Sequence, residues 1–170
     1  WPFVGEKGVL TEGGIRVPLI IRWPKFIKAG QVTDIPAVTM DITATMLDLA
    51  GVEAHPDYPL DGRTLLPWLL DGQEMPDRYL RWRIREQGAI RKGKFKLLVD
   101  QKPPFRFGRK PGQSVELFDV TEDGREAADL SAEYPEITAE LYAEWERFNA
   151  ELMAYPPRQL PPGAAPGRAD

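Results

Sequence analysis

Residues 6–24, EKGVLTEGGIRVPLIIRWP, run from a glycine-rich loop directly into a short apolar segment. Residues 17–24, VPLIIRWP, are apolar and carry prolines near both ends, a pattern typical of a strand buried on both faces of a parallel sheet. A central parallel strand needs neighbours, and these 170 residues do not encode them. The segment therefore predicts a strand whose partners come from elsewhere, or from another copy of the chain.

Composition excludes several classes of partner. The net charge is −4 and the pI is near 5.2, whereas binding to nucleic acid or to an acidic membrane requires a basic face. No run approaches the roughly 20 apolar residues of a membrane span. The absence of cysteine excludes disulfides, thiolate zinc sites and cysteine nucleophiles within these residues. The first residues, WPFVGEKG, lack an initiator methionine and the features of a signal peptide, so we expect the chain to begin inside a longer protein.

Two helices are predicted in the first half of the chain. Residues 39–51, TMDITATMLDLAG, read as a helix with Thr39 or Asp41 as N-cap and Gly51 as a left-handed terminator. Its apolar face comprises Ile42, Met46, Leu49 and Ala50. A short apolar helix over residues 64–70, ended by Asp71 and Gly72, follows a proline-rich loop.

The second half predicts an antiparallel sheet backed by a helix. YLRWRI, GAIRKGKFKLLVD and VELFDV alternate or run apolar at strand length, with Lys92 and Gly93 as a tight turn. Phe105 and Phe107 in the intervening loop are expected to anchor that loop to the body rather than to project toward a ligand. Residues 135–153 form an amphipathic helix expected to lie across the sheet. Its apolar positions are Ile137, Leu141, Trp145, Phe148 and Leu152.

These elements predict an α/β fold class that is α+β within this piece. Residues 1–72 would be the end of a doubly wound domain, contributing one terminal strand and one helix. Residues 73–155 would form a small antiparallel-sheet subdomain packed by the C-terminal helix. Residues 156–170, PPRQLPPGAAPGRAD, are too poor in apolar content to fold alone and are expected to be extended or disordered.

The loop at Lys7, Gly8, Glu12, Gly13 and Gly14 has two interpretations. It brings an ammonium and exposed backbone toward a sheet edge, where ligands bind in α/β folds, and glycine lets main chain approach a ligand closely. The plainer interpretation is a glycine turn with a surface lysine and a glutamate that caps nearby amides. The loop is not a Walker motif, because its glycines and lysine are in the wrong order.

The same stretch resembles the sulfatase family signature, in which Lys-Gly, three variable residues and Glu-Gly-Gly precede an Arg-Val-Pro strand and a Trp-Pro. The resemblance continues through TMDITATMLDLAGV, LDGRTLLPWL, GAIRKGKFKLL and ELFDVTEDGREAADLSAEYP into the terminal helix. It therefore covers the chain to about residue 158 and corresponds to the C-terminal part of a sulfatase of the arylsulfatase and sulfamidase kind. That family belongs to the alkaline phosphatase-like superfamily.

The resemblance implies hydrolysis of sulfate esters or sulfamates by a formylglycine beside a calcium ion. The motifs for formylglycine, calcium and the active-site histidines are not in this sequence, so the resemblance places them in a preceding part of the parent protein. It implies no metal ligand here. It also implies a sulfated small molecule or carbohydrate as the parent's substrate, and an N-terminal sulfatase portion, or self-association, to cover the exposed sheet edge.

The resemblance carries only one reactive role onto this chain. Lys7 matches the family lysine that contacts the substrate sulfate and is the catalytic and substrate-binding residue expected here; an ammonium suits that task because it stabilises charge building on oxygen. Gly8, Glu12, Gly13 and Gly14 match loop-shaping positions. In the family, the small sheet forms one wall of the substrate cleft. Further residues are therefore candidates for contacting the part of the substrate that carries no sulfate. The alternative is that they only form a strand face and a hairpin. These candidates are Trp82, Arg85, Glu86 and Gln87.

The remaining ionisable residues carry no site prediction. His55 is the only histidine, but its loop matches no active-site histidine of the family. Four aspartates sit in cap or turn contexts, and no pair of them has metal-ligand spacing. They are Asp41, Asp48, Asp61 and Asp71.

Three functions stay open from the sequence. The first is the C-terminal portion of a sulfuric ester hydrolase, inactive without the rest of the protein. The second is a phosphonate or phosphate monoesterase of the same superfamily, which a two-metal ligand set upstream would indicate. The third is a non-catalytic binding or structural module.

Overall fold

The computed structural model describes residues 2–100 and 115–153, which form a mixed α+β fold. The helices are α1 (Glu12–Ile15), α2 (Thr39–Leu49), α3 (Leu66–Asp71) and α4 (Pro135–Glu151), and the strands are β1 (Leu80–Ile84), β2 (Gln87–Lys92), β3 (Phe95–Val99) and β4 (Val115–Asp119). The predicted sheet and helices at 39–51, 64–70 and 135–153 are confirmed. The predictions for Phe105, Phe107 and the tail at 156–170 lie outside the described residues, and the division at residue 72 stays a prediction.

The four strands form one antiparallel sheet in the order β1-β2-β3-β4. Arg85 and Glu86 connect β1 to β2, because Ile84 pairs with Gln87, and Arg85 has the positive φ of 56° that such a tight turn requires. Lys92 pairs with Phe95, so the next turn consists of Gly93 and Lys94, one residue later than predicted. None of the helices in the described part of the chain has both the length and the apolar character of a membrane span.

Helix α4 covers one face of the sheet. Leu141 and Trp145 on α4 pack into a buried cluster with Ile90, Leu97 and Leu117 from three strands. This close packing depends on a glycine: a Cβ at Gly88 would lie 2.0 Å from the indole nitrogen of Trp145. The spacing of apolar residues along α4 thus produces the contact that the sequence predicts, which is a helix lying across the strands.

The N-terminal loop and α1 cover the opposite face. Leu10, only 1% exposed, packs with Ala89, Leu98 and Phe118, and Trp82 lies against the same cluster. Because alternate residues of a strand point to opposite faces, β3 gives Leu97 to α4 and Leu98 to the N-terminal loop. The sheet therefore serves as the platform on which the Lys7 loop rests.

The predicted buried strand at residues 17–24 is not formed. The segment has no strand pairing, and its apolar side chains face solvent, with Val17 78% and Ile20 88% exposed. A strand is stable only when neighbours satisfy its backbone groups, and the antiparallel sheet lies elsewhere in the chain. The amino acids have the composition of a central strand, but residues 2–100 and 115–153 offer no strand that pairs with them.

The apolar face predicted for α2 is largely exposed. Met46 is 59% and Leu49 is 47% exposed, while the buried residues are Asp41 and Ala44. Helix α2 contacts α3, and Asp41 and Thr45 accept backbone N–H bonds from Arg63 and Leu65 just before α3. Gly51 does adopt the predicted left-handed conformation, with φ of 65°.

Candidate functional site

Lys7 lies at the tip of a tight turn. The backbone N–H of Val9 donates to the carbonyl of Glu6 at 3.3 Å, which puts Lys7 and Gly8 at the two central positions of the turn. Gly8 has φ of 101°, a conformation that the second central position of a type II turn requires and that side chains with a Cβ disfavour. The Lys7 side chain is exposed. The turn thus presents a single ammonium outward.

The glycine pair closes the base of this loop. Gly13 N–H donates to the carbonyl of Val4, and Gly14 N–H donates to the carbonyl of Thr11, both at 2.8 Å. A Cβ on Gly14 would lie 2.1 Å from the carbonyl oxygen of Val9, and one on Gly13 would lie 2.5 Å from that of Val4. No side chain fits at such distances, so residues 4–14, here called the lysine loop, can close only with glycine at both positions.

Glu12 anchors the lysine loop to the sheet through a buried ion cluster. Lys96 Nζ on β3 donates to Glu12 Oε1 at 2.8 Å and lies 3.0 Å from Glu126 Oε1. The side chains of Lys96, Glu12 and Glu126 are 0%, 3% and 0% exposed. The backbone N–H of Glu12 donates to Glu126 Oε2 at 2.9 Å, so Glu126 also satisfies the start of α1. Glu12 is therefore turned toward the sheet and away from solvent.

Neither Lys96 nor Glu126 is predicted from the sequence as a site residue. Lys96 occupies the strand KFKLL, where it reads as a solvated strand position, and Glu126 lies in the loop after β4. Their partner Glu12 is 84 and 114 residues away. Alternation along β3 does put Lys96 on the same face as Leu98, but the sequence does not reveal that this face is covered.

A second buried carboxylate joins segments of the first half. Asp41 accepts backbone N–H bonds from Val38 and Arg63, each at 2.9 Å, and both guanidinium NH groups of Arg78. Burial alone would raise the pKa of Asp41, but the bonds from Arg78 and the two amides outweigh it and lower the pKa. The predicted N-cap is wrong: Val38 is the N-cap, and Asp41 reaches back to its amide.

Trp82, Arg85, Glu86 and Gln87 lie on the first hairpin. Trp82 is half-buried on the face that carries the lysine loop, since it packs against the cluster that contains Leu10. Arg85 and Glu86 are exposed in the turn, and Gln87 begins β2. The structure thus brings Trp82 and the lysine loop to one face of the sheet, and it places the other three residues at the end of the hairpin.

The remaining sequence candidates are not brought together. His55 is exposed in its loop, where its Nδ1 accepts the backbone N–H of Asp57 at 3.2 Å. Asp48, Asp61 and Asp71 are exposed. Within residues 2–100 and 115–153, no group of three or more histidine, aspartate or glutamate residues could hold a metal ion. The buried carboxylates of Glu12 and Glu126 already contact an ammonium, so a calcium ion does not fit there.

A cleft of about 400 Å³ opens beside Asp41. Arg63, Arg78 and Arg91 line it together with Asp34 and Asp77. Burial is the first cause that lowers the pKa of Arg63, and the nearby Arg78 adds to it, while Asp41 and Asp77 oppose the shift. Lys7 does not line this cleft, and neither do Trp82, Arg85, Glu86 and Gln87.

Comparison with known proteins gives a consistent result across nearly the whole chain. The family model described as N-sulphoglucosamine sulphohydrolase, C-terminal, matches residues 4–151. An uncharacterised sulfatase of Schizosaccharomyces pombe is 34% identical over 156 residues, which cover 86% of this chain and 27% of that protein. Human steryl-sulfatase is 49% identical over 71 residues, covering 42% of this chain and 12% of the enzyme. The chain thus spans about a quarter or less of these relatives.

Two solved structures have a similar fold. The crystal structure of Ps i-CgsB superimposes with a TM-score of 0.71 and 27% identity, covering 87% of this chain and 32% of that one. The structure of BT4656 in complex with its substrate, D-glucosamine-2-N,6-O-disulfate, gives a TM-score of 0.54 and 28% identity, covering 77% of this chain and 27% of that one. In both, the similarity spans about a third of the solved chain or less.

Proposed function

The chain belongs to the sulfatase family, as its C-terminal region of the N-sulphoglucosamine sulphohydrolase type, and from this premise we propose that it completes the active site of a sulfuric ester or sulfamate hydrolase. Its contribution is Lys7, whose ammonium contacts the sulfate of the substrate. The observation that carries the proposal is the presentation of Lys7 at the tip of a turn whose loop is closed by glycines and anchored by buried residues.

The chemistry expected of Lys7 is electrostatic. An ammonium within hydrogen-bond reach of a sulfate oxygen forms a charge-assisted bond and stabilises negative charge that develops as the sulfur–oxygen bond breaks. An exposed lysine in a fixed turn suits this role because the charge needs no reorganisation when the substrate arrives. Lys7 does not act as a nucleophile in this proposal.

Calcium and formylglycine would come from residues outside this chain. The resemblance implies both groups, yet the described residues contain no metal-binding cluster, and the sequence contains no Cys/Ser-x-Pro/Ala-x-Arg motif in which the family forms its formylglycine. When present, these groups supply the nucleophile and its charge stabilisation. The residues of this chain bind and orient the sulfate.

The uncovered apolar surface supports an N-terminal sulfatase portion as the partner. Val17, Ile20 and Met46 are each more than half exposed, and Val32 is 95% exposed. Leu19 and Ile21, next to Val17 and Ile20 in the sequence, are also exposed, and a continuous exposed apolar segment is typical of a surface that packs against another protein part. We assign residues 17–24 and the outer face of α2 to contact with the rest of the catalytic domain, where residues 17–24 would become a paired strand.

A sulfated carbohydrate or small molecule is the proposed substrate class. BT4656 is described in complex with a disulfated glucosamine, and Ps i-CgsB with k-i-k-neocarrahexaose. Trp82, Glu86 and Gln87 would contact the part of the substrate that carries no sulfate; Trp82 offers an aromatic face on the same side of the sheet as the lysine loop.

The test is hydrolysis of an aryl sulfate by the full-length protein that contains this chain. Lys7→Ala is expected to lower kcat by roughly 10²–10³, the usual loss for one donor to a developing negative charge, with an unchanged thermal midpoint. The matched control is Lys92→Ala, which removes an exposed lysine paired with Glu140 and should leave the rate unchanged. An unaltered rate for Lys7→Ala would remove Lys7 from the site, and a preference for phosphate monoesters would favour the phosphatase alternative.

A further inference from the structure

We propose that Lys96 and Glu126 are positioning residues for Lys7, so that the small antiparallel sheet sets the place of the sulfate-contacting ammonium. This inference rests on the proposed function of Lys7 and adds to it two residues from distant parts of the chain. Neither residue touches substrate in this proposal. Both act through Glu12, which follows Lys7 by five residues in the lysine loop.

Hydrogen bonds hold the lysine loop together between Lys7 and Glu12. The turn at Lys7 is closed by Val9 N–H, the loop base by the Gly13 and Gly14 amides, and Leu10 is buried against the sheet. A displacement of Glu12 therefore passes to Lys7 through a short, hydrogen-bonded segment. Because α1 is a single turn of helix, its own backbone bonds cannot hold this segment in place.

The buried ion cluster joins three segments of the chain. Lys96 Nζ lies within 3.0 Å of carboxylate oxygens from both Glu12 and Glu126. Glu126 in turn accepts the backbone N–H of Glu12. Strand β3, the loop after β4 and the start of α1 are thereby joined through directional bonds, which fix position more narrowly than apolar contacts do.

Stabilisation of the fold alone explains the buried cluster of Lys96, Glu12 and Glu126 poorly. Removing three charged side chains from water is costly, and apolar residues of similar volume stabilise a fold equally well or better. Glu126 moreover has φ of 52°, a left-handed conformation that is unfavourable for a residue other than glycine. Strained residues and buried ions gathered at one junction are characteristic of parts of a protein that hold a functional group in place.

The test is a double-mutant cycle in the full-length protein. Lys96→Met, which keeps the volume and removes the charge, is expected to lower kcat for an aryl sulfate by about 10²-fold, because small misplacements of a catalytic group have effects of that size. In a Lys7→Ala background the same change should alter kcat by no more than about twofold. A residue that acts only on stability would lower the rate by the same factor in both backgrounds.

A second variant keeps the test valid if Lys96→Met folds poorly. Glu126→Gln retains an acceptor for the Glu12 amide and removes one charge. It should lower kcat by about tenfold, and this loss should largely disappear in the Lys7→Ala background. Hydrogen exchange gives a readout independent of activity: the Gly13 and Gly14 amides should lose protection in both variants while β2 keeps its protection. Arg78→Met is the control, since it breaks an ion pair with the buried Asp41 in which no residue of the lysine loop takes part.

The outcomes separate the two proposals. An unchanged rate for Lys7→Ala alone would refute the proposed function, and the present inference with it. A large loss for Lys7→Ala together with a fully additive loss for Lys96→Met and Glu126→Gln would refute the positioning role alone. Unchanged exchange at Gly13 and Gly14 in folded variants would refute it as well, whatever their rates.

Discussion

At the scale of single residues, buried carboxylates join segments that are far apart in the sequence. Asp41 connects the start of α2 to Arg63 and Arg78, and Glu12 connects the lysine loop to Lys96. Removing one partner leaves an uncompensated buried charge, which typically costs about 3–5 kcal/mol of folding free energy. Each of these pairs therefore fixes the relative position of two elements, although such pairs add little net stability over apolar residues.

Asp119 supports a prediction about pH. It accepts bonds from Lys94 and Thr121 at the end of β4. Burial would raise the pKa of Asp119, but these bonds outweigh it and lower the pKa from 3.8 to about 2. Because the folded pKa is depressed, the stabilisation is complete above pH 3.8 and is lost as the pH falls through about 2.

The corresponding variant is Asp119→Asn. It is expected to lower the free energy of unfolding at pH 7 by about 1 kcal/mol, a value reduced for solvent screening. Urea denaturation between pH 7 and pH 2 should show the difference from the wild type shrinking below pH 4. Asp57→Asn, which changes an aspartate with an 82% exposed side chain, is the control. A difference that stays constant down to pH 2 would contradict the assignment.

At the scale of elements, the lysine loop depends on close backbone approach, and this gives a second prediction. Gly14→Ala should destabilise the protein by about 3 kcal/mol or distort the loop, since the new Cβ would meet the carbonyls of Val9 and Glu6. Gly30→Ala is the control: Gly30 has φ of 77° but open space around it, so only the conformational cost of about 1 kcal/mol applies.

Thermal unfolding and aryl sulfate kinetics on both glycine variants separate the two effects. Gly14→Ala should lower both the melting temperature and kcat, whereas Gly30→Ala should lower the melting temperature slightly and leave kcat unchanged. Equal effects from the two variants would mean that the close approach of the Val9 and Glu6 carbonyls does not make glycine necessary at position 14.

The elements that the sequence predicts correctly are those decided by local pattern. The alternation in residues 80–99, the apolar spacing of α4 and the left-handed Gly51 each depend on neighbouring residues. The strand at 17–24 fails because a strand depends on neighbours, and this segment pairs with no other strand among the described residues. Lys96 and Glu126 are not predicted from local pattern either, because their contacts with Glu12 join distant parts of the sequence.

At the scale of the whole molecule, the chain combines a part whose apolar surface is buried with a part whose apolar surface is exposed. The sheet is covered on both faces, by α4 and by the lysine loop. Residues 17–24 and the outer face of α2, in contrast, expose large apolar side chains. Such a distribution is expected of the C-terminal region of a sulfatase, because this chain matches about a quarter of the length of its Schizosaccharomyces pombe relative. The exposed part would then contact the remainder of the enzyme.

The claim that Lys7 contacts the sulfate is tested most directly by a crystal structure of the full-length protein with a sulfated ligand bound. The account predicts the Nζ atom of Lys7 at about 2.7–2.9 Å from a sulfate oxygen, the distance of a charge-assisted hydrogen bond. A bound sulfate that lies too far from the backbone of Lys7 for its ammonium to reach, with the Lys7 side chain in bulk water, would contradict this claim.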